Sequence, residues 1–400
     1  MADLLPDHSP LGASAMYRWL PCPGSVQLAV GHTIEEASEY AKEGSAAHKL
    51  AQNCLESGED AWEHIGQLVG PGDDRGPDLD KCVTVSKDMA DAVQIYLNSV
   101  RHRYPDRNQG NFYVEYGFHC PTIHSLFYGQ ADMVFIDFED RQLDIDDYKH
   151  GAGIVVDVQE NPQMMYYAVG VLESMNLWDK IDKITIRIVQ PRGWHTDGPI
   201  RAWSITTAML WQWMEDVLIP TMKNAETSND FHSGEHCRFC PVRYRACPQI
   251  AEDFDELEEL MNLLAKKGGA KKLTNTQLGR YLTLADTARM IAKSANETVF
   301  ARLNAGKKVP GRKLARSRTN RAWDGGAEEV LKDQFGAAAY ETKLLSPAKI
   351  DGLPEGDKLT SEWASKPEGN LTVVAESDAR AGVSKDITAL FTDQTKKGNE

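Results

Sequence analysis

The sequence predicts a mixed α/β layer structure, a sheet flanked by helices, with a helical and mixed appendage at the C-terminal end. Three observations predict it. Apolar residues recur at helical spacing as far as Tyr104, then alternate with a period of two, then return to helical spacing. The resulting core order is helix, three strands, helix, strand, which suits a sheet covered by helices. After Cys247 the character shifts to a long acidic helical pattern and then to a polar stretch with Gly, Pro and Ser.

The elements follow in order. Residues 1–13 read as a loose arm, and Ser14 to Leu20 as a short helix capped by Ser14 and ended by Pro21-Cys22-Pro23. Glu35 to Glu56 reads as a helix with Tyr40, Ala47, Leu50, Ala51 and Leu55 near helical spacing, and Gly44 as a candidate break. Residues 66–80, rich in Gly, Pro and Asp, read as a loop. Lys87 to Tyr104 carries the stripe Met89, Val93, Tyr96, Leu97 and Val100. Phe112 to Phe118, Gly129 to Ile136 and the run from Leu143 read as three strands. Pro162 to Leu177 is a helix with proline in its first turn, Ile184 to Val189 an alternating strand, and Ile205 to Lys223 a helix. Ile250 to Lys266 is acidic and amphipathic, Lys266 to Lys272 a hinge, and Thr274 to Leu303 one long helix. The expected division is a main domain over 1–250, a helical region over 251–303, and a small C-terminal domain over 304–400 ending in a mobile tail.

Bulk properties exclude several classes. The 400 residues carry 42% hydrophobic content and a formal charge of −15, the composition of a soluble globular protein. That charge argues against coating nucleic acid over the whole surface, but leaves room for a local basic track at Lys307, Lys308, Arg312, Lys313, Arg316, Arg318 and Arg321. No apolar run is long enough to span a membrane, and the first residues lack the pattern of a signal peptide. A cytoplasmic location is therefore expected.

The stretch Asp144-Ile145-Asp146-Asp147-Tyr148-Lys149-His150 carries the most chemistry. On a strand Asp147 and Lys149 leave one face, whereas Asp144 and Asp146 leave the other, so parity selects Asp147 as the partner of Lys149. Gly129-Gln130-Ala131-Asp132 opens the preceding strand. Asp132 and Asp147, with the carbonyl of Tyr148, suit a hard cation such as Mg²⁺ or Mn²⁺. Such an ion supplies a nucleophilic water and a clamp for phosphodiester hydrolysis, and Lys149 would stabilise charge beside it. Gln163 and Tyr167 lie four apart, on one face of the following helix, placed to contact a phosphate or hold the lysine; Tyr166 reads as core. His48 follows Gly44-Ser45-Ala46-Ala47, a small-residue surface that lets its helix pack closely enough to reach the same ion.

Of seven cysteines, Cys237, Cys240 and Cys247 fall within eleven residues. An odd number in a cytosolic chain points away from a disulfide framework, and clustering points to a metal. Tetrahedral zinc with His232 or His236 as a fourth ligand is one reading. An iron–sulfur cluster completed by Cys22 is the other, and the residues alone do not choose.

Taken in order, Cys22, Gly44 to His48, Asp132, Asp147 with Lys149, Gln163 to Tyr167, and the three late cysteines resemble the PD-(D/E)xK nucleases of the RecB exonuclease family. The closest branch in pattern carries an iron–sulfur staple and includes AddB-type subunits and CRISPR-associated adaptation nucleases. The opening Ser14 to Pro23 and the Asn161-Pro162-Gln163 run look like phage and prophage members. The resemblance covers roughly residues 14–250 and implies a restriction-endonuclease-like core. It implies that His48, Asp132, Asp147 and Tyr148 hold the metal, that Lys149 is catalytic beside Gln163 and Tyr167, and that Cys22, Cys237, Cys240 and Cys247 hold a structural [4Fe–4S] cluster. The expected activity is an exonuclease on single-stranded DNA ends or overhangs in phage replication or recombination. No phosphate-binding Gly-x-x-x-x-Gly-Lys loop is present, so unwinding would fall to a helicase partner, and a recombination or single-strand-binding protein is another expected partner. The alternatives are a non-catalytic or partner-activated DNA-binding module that keeps the fold, and a zinc-stapled interaction protein.

Overall fold

A computed structural model of the chain describes residues 9–30, 39–73, 76–105, 111–152, 154–243, 247–267, 269, 273–304 and 306–313. The chain divides into two compact units, Met1–Glu297 and Thr298–Glu400.

The first unit is built on one five-stranded sheet. Its strands are β1 (Phe112–His119), β2 (Tyr128–Asp137), β3 (Gln142–Tyr148), β4 (Lys183–Val189) and β5 (Ile200–Thr206), side by side in that order. β1, β2 and β3 form an antiparallel meander; β3 and β4 are parallel, and β5 returns antiparallel. A parallel pair needs a crossover, and α5 (Pro162–Ser174) supplies it. The mixed α/β layer expected from the periodicity is therefore present.

Among the described residues, four α-helices precede the sheet: α1 (Met16–Trp19), α2 (Ser25–Ala29), α3 (Glu39–Ser57) and α4 (Lys87–Arg103). Each face of the sheet is covered. On one face Val134, Ile136, Leu143, Ile145, Ile184 and Ile186 pack with Met164, Tyr166 and Val169 of α5 and with Met16 and Trp19 of α1. On the other, Met133, Tyr148 and Val189 pack with Ala47 and Leu50 of α3 and with Val93, Tyr96 and Leu97 of α4. The central strand β3 is buried along its length from Leu143 to Tyr148.

Local chemistry sets the helix ends. Ser86 caps α4 by accepting from Met89 N at 3.1 Å, with Arg101, His102 and Arg103 in the last turn against the helix dipole. Asn161 caps α5, accepting from Met164 N at 3.1 Å, and Pro162 occupies the first turn where its missing N–H costs nothing. Gly44 does not break α3, which runs through it.

Three expectations need correction. Ser14 caps nothing: a 3₁₀ turn over Ala13–Ala15 leads straight into α1, and the residue before the turn, Gly12, makes no side-chain cap. Residues 66–80 are not wholly irregular, since Leu68–Val69 pairs with Val83–Thr84 and Gly72–Asp73 with Gly76–Pro77. Ile205 belongs to β5, which the periodicity missed. The helix starts only at Thr207, capped by Thr206, as α6 (Thr207–Trp213). A π-helical turn, Met214–Leu218, then leads into α7 (Ile219–Ala225). The π turn precedes Pro220, whose ring and absent N–H forbid an ordinary ladder there.

Beyond the sheet lie α8 (Pro248–Lys267) and α9 (Asn275–Asn304), tied by Arg280 to Glu256 at 2.7 Å and to buried Asp253 at 3.1 Å. The expected tail, most of the expected hinge, and Arg316, Arg318 and Arg321 of the basic track lie outside the described residues. Lys307, Lys308, Arg312 and Lys313 are exposed. No helix among the described residues is long and apolar enough to cross a membrane.

Candidate metal centre

The sheet register builds the site. Met133 opposes Asp146 between β2 and β3, so the next step along both strands reaches Asp132 and Asp147. Val114 opposes Met133 and Tyr116 opposes Ala131 between β1 and β2, which puts Glu115 beside Asp132. Three carboxylates thus lie in a row across three strands. The core-facing alternation slips at this row, since both Ala131 and Val134 join the core under α5. Glu115 itself sits at φ +52°, in the left-handed region that non-glycine residues occupy at a cost. Backbone strain of this kind concentrates at functional sites.

His48 reaches this row from α3. Its Nδ1 lies 3.3 Å from Asp132 Oδ2. His48, Glu115 and Asp132 each place one ligand atom within 4.8 Å of the others, and theirs is the group of this kind found among the described residues. The Tyr148 backbone N–H donates to Asp132 Oδ2 at 2.7 Å and fixes that carboxylate against the end of β3. Tyr148 also packs its ring edge-on against His48 at 5.5 Å, and its hydroxyl meets His150 Nδ1 at 2.8 Å. His150 Nε2 lies 2.7 Å from Arg192 and 3.3 Å from Glu43 of α3, so the helix carrying His48 is braced against the end of β3.

Lys149 is held on the other side of the row. Its Nζ donates to Asp147 Oδ1 at 3.2 Å and to Gln163 Oε1 at 3.0 Å. Gln163 Nε2 in turn donates to the Tyr167 hydroxyl at 2.9 Å. The four-residue spacing on α5 therefore serves to hold the lysine. Asp147 is buried, and its Oδ2 stands 3.0 Å from Lys149 Nζ as an ion pair but makes no well-aligned hydrogen bond. That oxygen keeps a lone pair free. Asp144 and Asp146 point away, as parity requires. Asp146 is bound by Arg103 and Arg187, and Asp144 accepts from Tyr104 and Gln142.

Charge accumulates at this row, and protons respond. Burial and the neighbouring Asp132 charge push the Glu115 carboxyl up to about 7. Burial also raises Asp147, helped by Asp132 and opposed by Lys149. Burial disfavours the His48 imidazolium, but the Asp132 carboxylate outweighs it and holds the group up at about 9. Asp132 stays below the usual carboxylate range because His48, the Tyr148 amide and Lys149 outweigh its burial. Glu115, Asp147 and His48 hold protons that a cation would replace, while Asp132 already carries its charge. The donor set, imidazole nitrogen plus carboxylate oxygens with a free lone pair on Asp147, fits Mg²⁺ or Mn²⁺.

Sequence reasoning named His48, Asp132, Asp147, Tyr148, Lys149, Gln163 and Tyr167, and the fold brings all seven together. It missed Glu115. The available signal was a lone acid inside an otherwise aromatic and β-branched strand, Phe112-Tyr113-Val114-Glu115-Tyr116.

The cysteines form a separate region. Gly24 N donates to Asp230 O at 3.0 Å, and a Cβ on Gly24 would meet Phe231 at 2.7 Å, so the arm around Cys22 lies directly on the chain that leads to Cys237. His232 N donates to Cys22 Sγ at 3.4 Å, and Cys237 Sγ approaches His232 O at 4.0 Å. Arg18 lies within electrostatic range of both Cys240 and Cys22. Burial raises Cys240, and the Cys237 and Cys247 sulfurs act on it in the same direction. Among the described residues, however, no three of these sulfurs or nearby histidine nitrogens fall within 4.8 Å of one another. Tetrahedral zinc with bonds of about 2.3 Å would need sulfurs about 3.8 Å apart. His236 Nε2 is engaged with His232 O at 2.8 Å, and His232 Nε2 with Asp230 at 3.0 Å.

A family model described as "Protein of unknown function (DUF2800)" matches residues 8–381. The chain belongs to this family. The match takes in the whole carboxylate row and Cys22, Cys237, Cys240 and Cys247, so both regions fall inside one family match.

Proposed function

We propose that this chain is a metal-dependent DNA nuclease of the PD-(D/E)xK type, acting on single-stranded ends or overhangs. The observation that carries the reading is one constellation: Asp132 and Asp147 on adjacent strands, with Lys149 held beside Asp147 by Gln163. Phosphodiester hydrolysis needs a cation, a positioned water and positive charge near the phosphorus. His48, Glu115, Asp132 and Asp147, with the Tyr148 carbonyl, are the residues that would hold Mg²⁺ or Mn²⁺. When bound, the ion supplies an activated water and neutralises charge on the scissile phosphate.

The remaining work falls to the chain itself. Lys149 offers a point charge to the water or to a phosphate oxygen. Gln163 and Tyr167 keep its flexible stem aimed, so little side-chain entropy is lost when substrate arrives. Tyr148 orients Asp132 through its amide and His48 through its ring.

For the cysteines we propose a structural [4Fe–4S] cluster on Cys22, Cys237, Cys240 and Cys247, with zinc as the alternative. Cys22 and Cys240 within electrostatic range of Arg18, and Cys237 and Cys247 within that of Cys240, support one shared metal group. Hydrolysis uses no electrons, so the cluster would tie the N-terminal arm to the segment after α7.

The test is Mn²⁺ binding followed by calorimetry, paired with cleavage of a labelled oligonucleotide. Asp132→Asn should weaken binding at least tenfold and remove cleavage. Unchanged binding and cleavage in that variant would sink the assignment.

A further inference from the structure

We infer that the β4–β5 loop presents Trp194 as a stacking platform for a nucleobase of single-stranded DNA next to the scissile phosphate. The inference rests on the nuclease reading and adds a substrate subsite to it.

Trp194 is 74% exposed, the most exposed large apolar side chain among the described residues. It does not sit on a loose loop. Gln190, itself 1% exposed, knits two loops to the sheet. Its Nε2 donates to Gly151 O at 2.8 Å and to Ile154 O at 2.7 Å, and its Oε1 accepts from Val156 N at 3.0 Å and from Arg201 at 3.1 Å. Its backbone N–H donates to Pro199 O at 2.8 Å and closes the neck of the β4–β5 loop. Gly193 lies flat on this glutamine, since an added Cβ would meet its Cδ at 2.7 Å. Arg192 anchors the loop further, to Glu43 of α3 at 3.1 Å, to Asp88 of α4 at 3.3 Å and to His150 at 2.7 Å. Ile154 and Val155, 43% and 40% exposed, form the second half of the same rim.

The β4–β5 loop leaves the sheet at the end of β4 that pairs with the Tyr148–Lys149 end of β3. The Lys149 N–H donates to Val189 O at 2.9 Å, and Trp194 follows five residues later in a loop whose neck is pinned there. Ligands of sheets with parallel strands bind beyond the carboxyl ends of those strands, and this is that end of β3 and β4. An indole carried on an anchored backbone and left in water pays little backbone ordering cost when a flat partner arrives. Every base offers such a face, which suits a strand of arbitrary sequence. A duplex keeps its bases paired and stacked internally, so the platform selects unpaired ends.

The test measures binding of a fluorescein-labelled twelve-nucleotide thymidine strand to full-length Lys149→Ala protein with Ca²⁺, with and without Trp194→Ala. Trp194→Ala should weaken binding by roughly five- to a hundredfold, while Trp194→Phe keeps most of it. An abasic site that weakens binding to the parent should cost nothing further in Trp194→Ala, a coupling that a folding defect would not produce. Equal affinity of parent and Trp194→Ala, with wild type cleaving the strand, would overturn the platform and leave the nuclease reading standing. Wild type that neither binds nor cleaves single strands would overturn both. A dimer of the parent that Trp194→Ala abolishes would assign the rim to self-association and overturn the platform.

Discussion

Two adjacent aspartates on β3 should behave oppositely on substitution. Asp146 is fully buried, and both its oxygens are bound by Arg103 and Arg187, the latter at 2.7 Å. Asp146→Ala would leave two guanidinium groups, 22% and 12% exposed, without their counter-charge. Removing one partner of such a buried network costs about 3–5 kcal/mol. At roughly 2–4 °C per kcal/mol for a domain of this size, the melting temperature should fall by about 6–20 °C. Asp147→Asn keeps the shape of its side chain and removes a charge that burial and Asp132 already disfavour. Its melting temperature in EDTA should stay within about 3 °C of wild type or rise, because the repulsion across the row is relieved. Cleavage should nonetheless fall by about a hundredfold or more, since an ion ligand and the partner of Lys149 are lost. Thermal melts in EDTA beside a cleavage assay measure both quantities. If Asp146→Ala melts with wild type, or Asp147→Asn is the less stable of the two, the parity argument that separates a structural from a functional aspartate is wrong.

Metal affinity should depend on pH in a set direction. The metal-free protein holds a proton on His48 up to about 9, and an ion needs that nitrogen bare. Apparent Mn²⁺ affinity should rise about tenfold per pH unit from 7 to 8.5, steepen below 7 as Glu115 takes its own proton, and lose the upper dependence in His48→Ala. Flat affinity over that range would contradict the ligand role of His48. Gly170→Ala should cost about 1–3 kcal/mol in denaturant unfolding, because a Cβ there would clash with the buried Phe118 ring in the α5–β1 contact; an unchanged midpoint would refute that packing. Protein purified without oxygen should carry iron and acid-labile sulfide, and Cys22→Ser should lose most of both. One equivalent of zinc instead would favour the alternative metal.

Much of this centre was legible because strand parity is a strict rule. A period of two separates Asp147 from Asp146 without any coordinates, and the structure places them on opposite faces. The four-residue spacing of Gln163 and Tyr167 was equally readable, and the fold shows Gln163 bound to Lys149 and Tyr167 bound to Gln163. Glu115 escaped because its role depends on a left-handed backbone kink and on register with Asp132, both set by tertiary packing. Strand β5 escaped because buried Arg201, bound to Gly198 O, Val156 O and Gln190, breaks the apolar alternation that marks a strand. Likewise a serine at residue 14 suits a helix cap by type, but the chain enters α1 through a 3₁₀ turn and leaves that hydroxyl no N–H to accept from.

The central claim is that the Asp132–Asp147–Lys149 row hydrolyses DNA with a divalent ion. The most direct measurement incubates end-labelled single- and double-stranded DNA with oxygen-free wild type and Lys149→Ala, each with Mn²⁺, Mg²⁺ or EDTA. The account predicts cleavage of single strands by wild type with Mn²⁺ or Mg²⁺, none in EDTA, and none by the variant. Cleavage that survives Lys149→Ala, or wild type inert on both DNA forms while its metals are in place, would contradict it.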